Sequence, residues 1–253
     1  MAYPWAMAKA LKSFLFAAAL VLMAYPAAAE ERPLTVVELY TSQGCSSCPP
    51  ADAFLGELAG REGVLALSFH VDYWDYIGWK DPYASRAHSE RQRRYARHFG
   101  KRYVYTPQMV IHGIAEELGS DRSKVLRRID EAAKLERVPV RIDHGADRGT
   151  ITISVPQKAT NDDVDIVMVW LVVYDRNHET AVKRGENRGR TIRNFNVVRG
   201  LRKVAAWRGE ALEAEASLSD FAAGGGDACA VLLQSRRSGR IVGAARLALD
   251  QSH

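Results

Sequence analysis

The sequence predicts an α/β domain followed by a mostly antiparallel β domain, behind an N-terminal export signal. Residues 1–29 have the pattern of a secretory signal, residues 30–137 alternate between strand-like and helix-like runs, and residues 138–253 consist mainly of strand-like runs separated by turns. The chain has 253 residues, of which 47% are hydrophobic and 26% are charged. This composition is typical of a globular protein and excludes a disordered, collagen-like or low-complexity chain.

The signal is predicted to be cleaved after Ala29. Two lysines precede an apolar run over residues 14–23, and three consecutive alanines then form the small-residue cleavage site. The alternative is an uncleaved membrane anchor, for which the apolar run is short. The sequence does not decide whether the chain starts at Met1 or Met7. We expect the mature chain to be periplasmic or secreted, with no stable membrane insertion.

The first half contains three apolar strand-like runs that alternate with three helix-like runs. The strand-like runs cover residues 35–40, 64–71 and 109–111, and the helix-like runs cover residues 51–59, 82–99 and 120–133. The second helix-like run is rich in basic residues, which we interpret as a solvated helix face rather than an anion-docking surface: Arg86, Arg91, Arg93, Arg94 and Arg97. Strands separated by helices are typical of an α/β layer with parallel pairing.

The second half of the sequence has mainly strand-like patterns. Residues 140–143 and 150–155 alternate between apolar and polar side chains around a turn, which predicts a β-hairpin. Helical periodicity is weak except around residues 212–221. Further strand-like runs cover residues 164–174, 196–198, 230–233 and 241–245. These patterns predict a mostly antiparallel, sandwich-like β domain.

The motif that carries chemistry is Cys45-Ser46-Ser47-Cys48, between a predicted buried strand and a predicted helix. Pro49 and Pro50 mark the helix start, because proline is tolerated in the first turn, where N–H groups lack intrahelical partners. The free N–H groups and the helix dipole there favour a thiolate. Cys45 is the predicted nucleophile and Cys48 the residue that resolves a mixed disulfide.

Three interpretations of the cysteine pair stay open. The first is a redox-active dithiol, and the second is an inert structural disulfide, as exported cysteines often form. The third is a metal site, although no second Cys or His pair stands at zinc-ligand spacing. His70 and His112 are the histidines on nearby strands, and we interpret both as core residues. Cys229 opens an apolar strand and is predicted to be a buried, unreactive thiol.

A second motif supports the redox interpretation of the cysteine pair. The two motifs together make the sequence resemble the thioredoxin superfamily. Thr106-Pro107 leads directly into the third strand of the first half. In that superfamily, a strand leads into a CxxC motif at the start of a helix. Later in the chain, a residue-Pro pair precedes another strand, and a last helix follows. The resemblance implies a cis bond before Pro107, with Thr106 and Pro107 binding an extended substrate backbone. It also implies that Cys45 and Cys48 form the redox disulfide.

More narrowly, the chain resembles a secreted bacterial thioredoxin-like family of unknown function. Four runs that span most of the mature chain carry this resemblance: residues 44–52, 70–82, 105–113 and 196–207. The family itself implies no particular substrate. Ser46 and Ser47 replace the residues usual between thioredoxin cysteines, so the reduction potential stays open.

Glu38 is the candidate for proton transfer. Strand alternation places Val36, Glu38 and Tyr40 on one face of the first strand. A buried carboxylate there could take the proton when Cys48 attacks, and it resembles the buried acid of thioredoxins. The alternative is a solvent-facing or ion-paired glutamate.

The aromatic segment 72–82 either lines a ligand-binding groove or packs over the core.

The sequence therefore predicts an exported thiol–disulfide oxidoreductase that acts through Cys45 and Cys48 on thiols or disulfides of exported proteins. No cofactor or metal is implied, and electrons would come from a redox partner or the substrate. The chain has 35 basic and 30 acidic residues, and removal of the signal takes two lysines, which leaves a net charge of 33 minus 30, or +3. This charge is too mild to suggest nucleic acid as a partner. The alternatives are a binding module with a structural disulfide and a periplasmic copper-handling protein. The direction of electron flow, the substrate and the oligomeric state are not determined by the sequence.

Overall fold

The structure is a computed structural model that describes residues 33–147, 149–158, 166–221 and 226–249. The secretory signal predicted at residues 1–29 lies outside the described residues. Within the described ranges, no helix has the length and apolar character needed to cross a membrane.

Strands are the main secondary structure of the described chain. The described residues form eleven strands and three α-helices, with short 3-10 turns at Asp75–Ile77 and Leu218–Asp220. In chain order the elements are β1 (Thr35–Thr41), α1 (Pro49–Ala59), β2 (Val64–His70), α2 (Arg86–His98), β3 (Gln108–Ile111), β4 (Ala115–Leu118), α3 (Arg122–Ala133), β5 (Arg141–His144), β6 (Thr150–Val155), β7 (Val167–Ala181), β8 (Thr191–Trp207), β9 (Leu212–Ser217), β10 (Ala228–Ser235) and β11 (Ile241–Ala248).

One mixed sheet of eight strands joins the two halves of the sequence. Its strand order is β11-β10-β7-β8-β2-β1-β3-β4, and a second, antiparallel sheet has the order β5-β6-β9. Strands β1 and β2 are parallel, whereas β3 and β4 are antiparallel to their neighbours. The predicted fold class, an α/β thioredoxin-like domain followed by a separate, mostly antiparallel β domain, is therefore wrong.

The physical reason lies at β8, a strand of 17 residues. Its middle pairs in parallel with β2, with Val197 beside Ser68, and the side chain of Asn196 donates a hydrogen bond of 2.8 Å to the Ala66 carbonyl. Phe195 packs against α1 so closely that a Cβ at Gly56 would lie 2.6 Å from its ring. The edge of β2, which an isolated domain would leave free, is thus covered by a strand from the second half.

Individual elements follow the sequence patterns more closely than the fold class does. The predicted hairpin is present as β5 and β6, an antiparallel pair. The helical periodicity at residues 212–221 is misleading, because Leu212–Ser217 forms β9. The residues of that run also alternate between apolar and acidic side chains (LEAEAS), which is the period of a half-buried strand.

Three apolar clusters fill the spaces around the sheets. One lies between β1–β3 and the helices α1 and α3, and includes Leu39, Phe54 and Ile129. A second covers the opposite face of the sheet on the side of α2, and a third fills the space between the two sheets. The buried Cys229 belongs to the third cluster, where burial raises its thiol pKa to about 12.

A buried ion pair attaches α2 to the large sheet. The guanidinium of Arg91 donates hydrogen bonds of 2.7 and 2.8 Å to the two carboxylate oxygens of Glu38. The hydroxyls of Tyr40 and Tyr95 donate to the same carboxylate at 2.8 and 2.7 Å. Arg91 is therefore not part of a solvated helix face, because it is 1% exposed. Desolvation opposes its charge, but Glu38 outweighs this and raises the pKa of Arg91.

We expect Glu38→Ala to lower the free energy of unfolding by about 3–5 kcal/mol, because the variant leaves the buried Arg91 charge without its partner. Urea unfolding monitored by circular dichroism measures the change. The control is Glu90→Ala, which removes an exposed ion pair with Arg86 on the same helix and should cost less than about 1 kcal/mol. Equal losses in the two variants would contradict this assignment.

Candidate redox site

The two cysteines of the CxxC motif form a disulfide at the start of α1. Cys48 is the residue immediately before the helix, Pro49 and Pro50 occupy the first helical positions, and Cys45 lies in the preceding turn. Cys45 is 1% exposed and Cys48 is fully buried, whereas Ser46 and Ser47 between them are exposed. The Cys45 sulfur lies 3.3 Å from the Ser47 hydroxyl oxygen. The motif thus presents its serines to solvent and its sulfurs to the interior.

A loop from the second half of the chain holds the cysteine turn. It connects β7 to β8, and its buried Asn187 side chain donates hydrogen bonds of 2.9 Å to the backbone carbonyls of Gln43 and Cys45. The neighbouring Glu186 carboxylate accepts a hydrogen bond of 3.0 Å from the backbone N–H of Ser46. We call Glu186 and Asn187 the clamp. The sequence does not indicate the clamp, because these two residues lie 140 or more positions from their partners.

A buried polar cluster lies beneath the start of α1, and sequence reasoning missed it. Five side chains contribute atoms that are buried and have no hydrogen-bond partner among the described residues: Thr41, Asp52, Ser68, His70 and Asn194. Both carboxylate oxygens of Asp52 belong to this set. An unpartnered polar atom in the interior costs roughly 1–3 kcal/mol. Such a group therefore requires an explanation beyond packing.

Asp52 is the carboxylate closest to the cysteines along the helix. Its backbone N–H donates to the Cys48 carbonyl, and the i,i+4 spacing places the two side chains on the same face of α1. Burial raises the pKa of Asp52 to about 7, and the nearby His70 and Thr41 offset only part of that rise. This carboxyl group therefore changes its protonation state near neutral pH.

His70, a member of this cluster, also forms a buried ion pair. Its Nδ1 lies 2.7 Å from Oδ2 of Asp81, and Asp81 also accepts a 2.7 Å hydrogen bond from the backbone N–H of Gln43. Burial opposes a charged imidazole, but the charge and hydrogen bond of Asp81 outweigh it and raise the pKa of His70. The pair thus connects the end of β2 to the residue two positions before Cys45.

The Thr106-Pro107 turn lies close to the start of α1. Its peptide bond is cis. A Cβ at Gly119 would lie 3.1 Å from the Ala51 side chain and 3.2 Å from that of Pro107, so one glycine separates the proline from the helix. The structure therefore brings Thr106 and Pro107 to the same end of the fold as the cysteines.

Trp74, from the aromatic segment, covers this region. Its indole N–H donates a 2.7 Å hydrogen bond to the Thr106 hydroxyl. On its other side, its Cβ lies 3.3 Å from where a Cβ of Gly44 would be. Trp74 thus spans the distance between the Thr-Pro turn and the cysteine turn. Tyr76, two residues later, is 82% exposed.

Glu38 lies away from this site. Its neighbours on β1, Val37 and Leu39, pack with α1, whereas Glu38 faces the Arg91 side of the sheet. The structure thus gives Glu38 the ion-paired environment that the sequence left open as an alternative.

His112 is a buried residue that accepts a 3.3 Å hydrogen bond from the Val36 N–H. Burial lowers its pKa to about 3.

Metal binding has no support in the geometry of the described part of the chain. Among the described residues, no group of three or more His, Cys, Asp or Glu side chains is arranged to hold a metal ion. The copper-handling alternative therefore gains no argument from the structure.

Comparison with known proteins places the chain in a family. The family described as "Protein of unknown function (DUF1223)" matches residues 36–234. A crystal structure of a protein from Agrobacterium tumefaciens, solved by a structural genomics consortium, is 31% identical with a TM-score of 0.73. The similarity covers 89% of this chain and 98% of that one. No curated protein matches the chain. With a match over most of its length, the chain belongs to the DUF1223 family.

Proposed function

We propose that the protein exchanges thiols and disulfides through Cys45 and Cys48, with thiols or disulfides of exported proteins as its substrates. The observation that supports this most is a CxxC disulfide at a helix start, with a buried carboxyl group of pKa about 7 one helical turn away. A disulfide that only braces the fold has no use for such a group. The export of the chain rests on the signal predicted from the sequence.

The proposed reaction is a two-electron exchange. A substrate thiolate attacks the Cys45 sulfur, the Cys45–Cys48 bond breaks, and its electron pair leaves on Cys48 as a thiolate. Asp52, half protonated near neutral pH, gives that thiolate its proton. A second substrate thiolate then attacks the substrate sulfur of the mixed disulfide, the bond to Cys45 breaks, and Cys45 leaves as a thiolate. The two protons released by the substrate thiols reprotonate Asp52 and protonate Cys45 through solvent, so the substrate loses two electrons and two protons and the cysteine pair gains both. The reverse sequence reduces a substrate disulfide, with Asp52 taking the proton from Cys48.

Access to the disulfide requires a local opening. Cys45 is nearly fully buried, and the clamp holds its carbonyl and the Ser46 N–H. We assign the region of Thr106 and Pro107 to substrate binding. The indole N–H of Trp74 donates a hydrogen bond to the Thr106 hydroxyl. A substrate backbone that binds at Thr106 would therefore displace the indole. The clamp and Trp74 would thus control which thiols reach Cys45.

A second candidate function is a binding module in which the disulfide is structural. The burial of both sulfurs and the two hydrogen bonds from Asn187 to the cysteine turn favour it. The two candidates differ in reduction potential. A structural disulfide lies below about −300 mV, whereas exchange proteins lie at about −270 mV or higher.

We expect the disulfide to equilibrate with glutathione redox buffers at a potential above about −270 mV. We also expect Cys48→Ser to accumulate a mixed disulfide between Cys45 and glutathione, because the resolving thiol is absent. Mass spectrometry of acid-quenched samples measures both. Cys45→Ser is the matched control and should trap much less. A bond that stays oxidised at −300 mV would reject exchange in favour of the binding module.

We expect Asp52→Asn to slow disulfide formation within a Cys45–glutathione mixed disulfide by about tenfold or more above pH 7, because Cys48 loses its proton acceptor. Stopped-flow rates between pH 5 and 9 should show an inflection near 7 in the wild type and none there in the variant. An unchanged inflection would remove Asp52 from the mechanism.

The same residue makes a prediction for stability. Because the folded-state pKa of Asp52 lies above the usual 3.8, its proton is held more tightly in the folded chain. The free energy of unfolding should fall as pH rises from about 4 to about 7. The stability of Asp52→Asn relative to the wild type should therefore be about 4 kcal/mol greater at pH 8 than at pH 4. Asp130→Asn, at an exposed position, should show no such difference.

We expect Asn187→Ala to accelerate reduction of the disulfide by a soluble phosphine roughly thirtyfold. The variant loses two hydrogen bonds to the cysteine turn, each worth about 1 kcal/mol. The fraction of reduced protein in acid-quenched samples, measured by mass spectrometry over time, gives the rate of opening. Arg188→Ala, at the exposed neighbouring position, is the control and should leave the rate unchanged. Equal rates in all three proteins would show that the clamp does not limit access.

A further inference from the structure

We propose that a pocket between α2 and strands β7 and β10 binds a small organic carboxylate with a flat apolar body. The pocket has a volume of about 280 Å³, and none of its lining residues belongs to the cysteine motif. Helix α2 supplies Arg94 and His98, β7 supplies Met168 and Trp170, and Arg236 follows the end of β10. We infer the chemical class of the ligand from which of these side chains already have hydrogen-bond or ion-pair partners.

The most buried cation of the pocket is already neutralised. Arg91 gives two hydrogen bonds to Glu38 and a third, of 3.1 Å, to the side-chain oxygen of Gln234. The Gln234 amide nitrogen is used as well, donating to the Tyr95 hydroxyl and the Gly239 carbonyl. Arg91 and Gln234 therefore form the floor of the pocket and leave ligand binding to other groups.

Arg94 is a cation of the pocket wall that has no hydrogen-bond acceptor among the described residues. It is half-buried, and within the described ranges it makes no hydrogen bond or salt bridge. Glu90, one turn earlier on the helix, pairs instead with Arg86 at 3.0 Å. The Arg94 guanidinium lies 5.9 Å from the centre of the Trp170 ring. Burial, followed by the charge of Arg91, lowers the pKa of Arg94, and the charge of Glu90 offsets only part of this.

The rest of the wall is apolar and flat. Trp170 and Met168 lie side by side on the β7 face of the pocket, two residues apart and therefore on the same side of the strand. The indole nitrogen of Trp170 is buried and has no acceptor among the described residues. The pocket thus combines donors and positive charge with an aromatic surface and a thioether.

These groups select for a ligand with both an anionic and an apolar part. A neutral apolar molecule would desolvate Arg94 without providing a counter-charge, which is unfavourable. A bare inorganic anion would leave the tryptophan ring and the methionine uncovered. A carboxylate can accept two hydrogen bonds from a guanidinium while its ring packs on Trp170. The exposed Arg236 at the mouth adds positive charge.

Isothermal titration calorimetry with 1-naphthoate tests the proposal, with 1-naphthamide and inorganic phosphate as matched probes. We expect naphthoate to bind the oxidised wild-type protein at least about tenfold more tightly than either probe. Arg94→Gln should weaken naphthoate binding about tenfold, and Arg94→Lys, which keeps the charge but not the planar fork, should weaken it less. Arg93→Gln, on the exposed face of the same helix, should have no effect.

Three results would overturn the proposal: no naphthoate binding, equal affinity for the amide, or unchanged affinity in Arg94→Gln. Urea unfolding of each variant confirms that it is folded before titration. A shift of the Trp170 indole signal in a ¹H–¹⁵N spectrum, assigned with Trp170→Phe, locates the ligand. The result is independent of the cysteine chemistry, because binding is measured with the disulfide intact.

Discussion

The parallel pairing of β8 with β2 is the contact on which the rest of the structure depends. It lies near Ser68 and Val197, and it turns strands from two sequence halves into one sheet. Because β8 is fixed there, the loop that precedes it reaches the cysteine turn, and Asn194 joins the polar cluster beneath α1. The cysteine site is therefore built from residues that meet only when the whole sheet has formed.

The polar cluster under α1 is difficult to explain by stability alone. Apolar residues of similar size at positions 41 and 68 would remove the desolvation cost of the buried Thr41 and Ser68 hydroxyls. Around a buried Asp52, however, polar neighbours lower the cost of ionising the carboxyl group, and they keep its pKa near 7 rather than higher. The cluster thus makes a buried acid usable at physiological pH.

The sequence predicted local elements and the cysteine motif well, because both depend on short-range patterns. Paired prolines after Cys48 mark the start of α1, and the Asp121 cap marks that of α3. The fold class was wrong because strand pairing across more than 100 residues leaves no local pattern. The clamp was missed for the same reason. A signal for Arg91 did exist, because it precedes Tyr95 by four residues on the inward face of α2.

The position of Glu38 also bears on how a proton reaches the cysteines. Glu38 accepts hydrogen bonds from Arg91 and from two tyrosine hydroxyls on the face of the sheet opposite α1, so its carboxylate is not placed to exchange a proton with Cys48. Asp52 lies on the α1 side instead, where burial, offset only in part by His70 and Thr41, raises its pKa to about 7. Of the two buried acids on opposite faces of the sheet, one therefore serves to attach α2. Only the other is suited to exchange protons with a thiol.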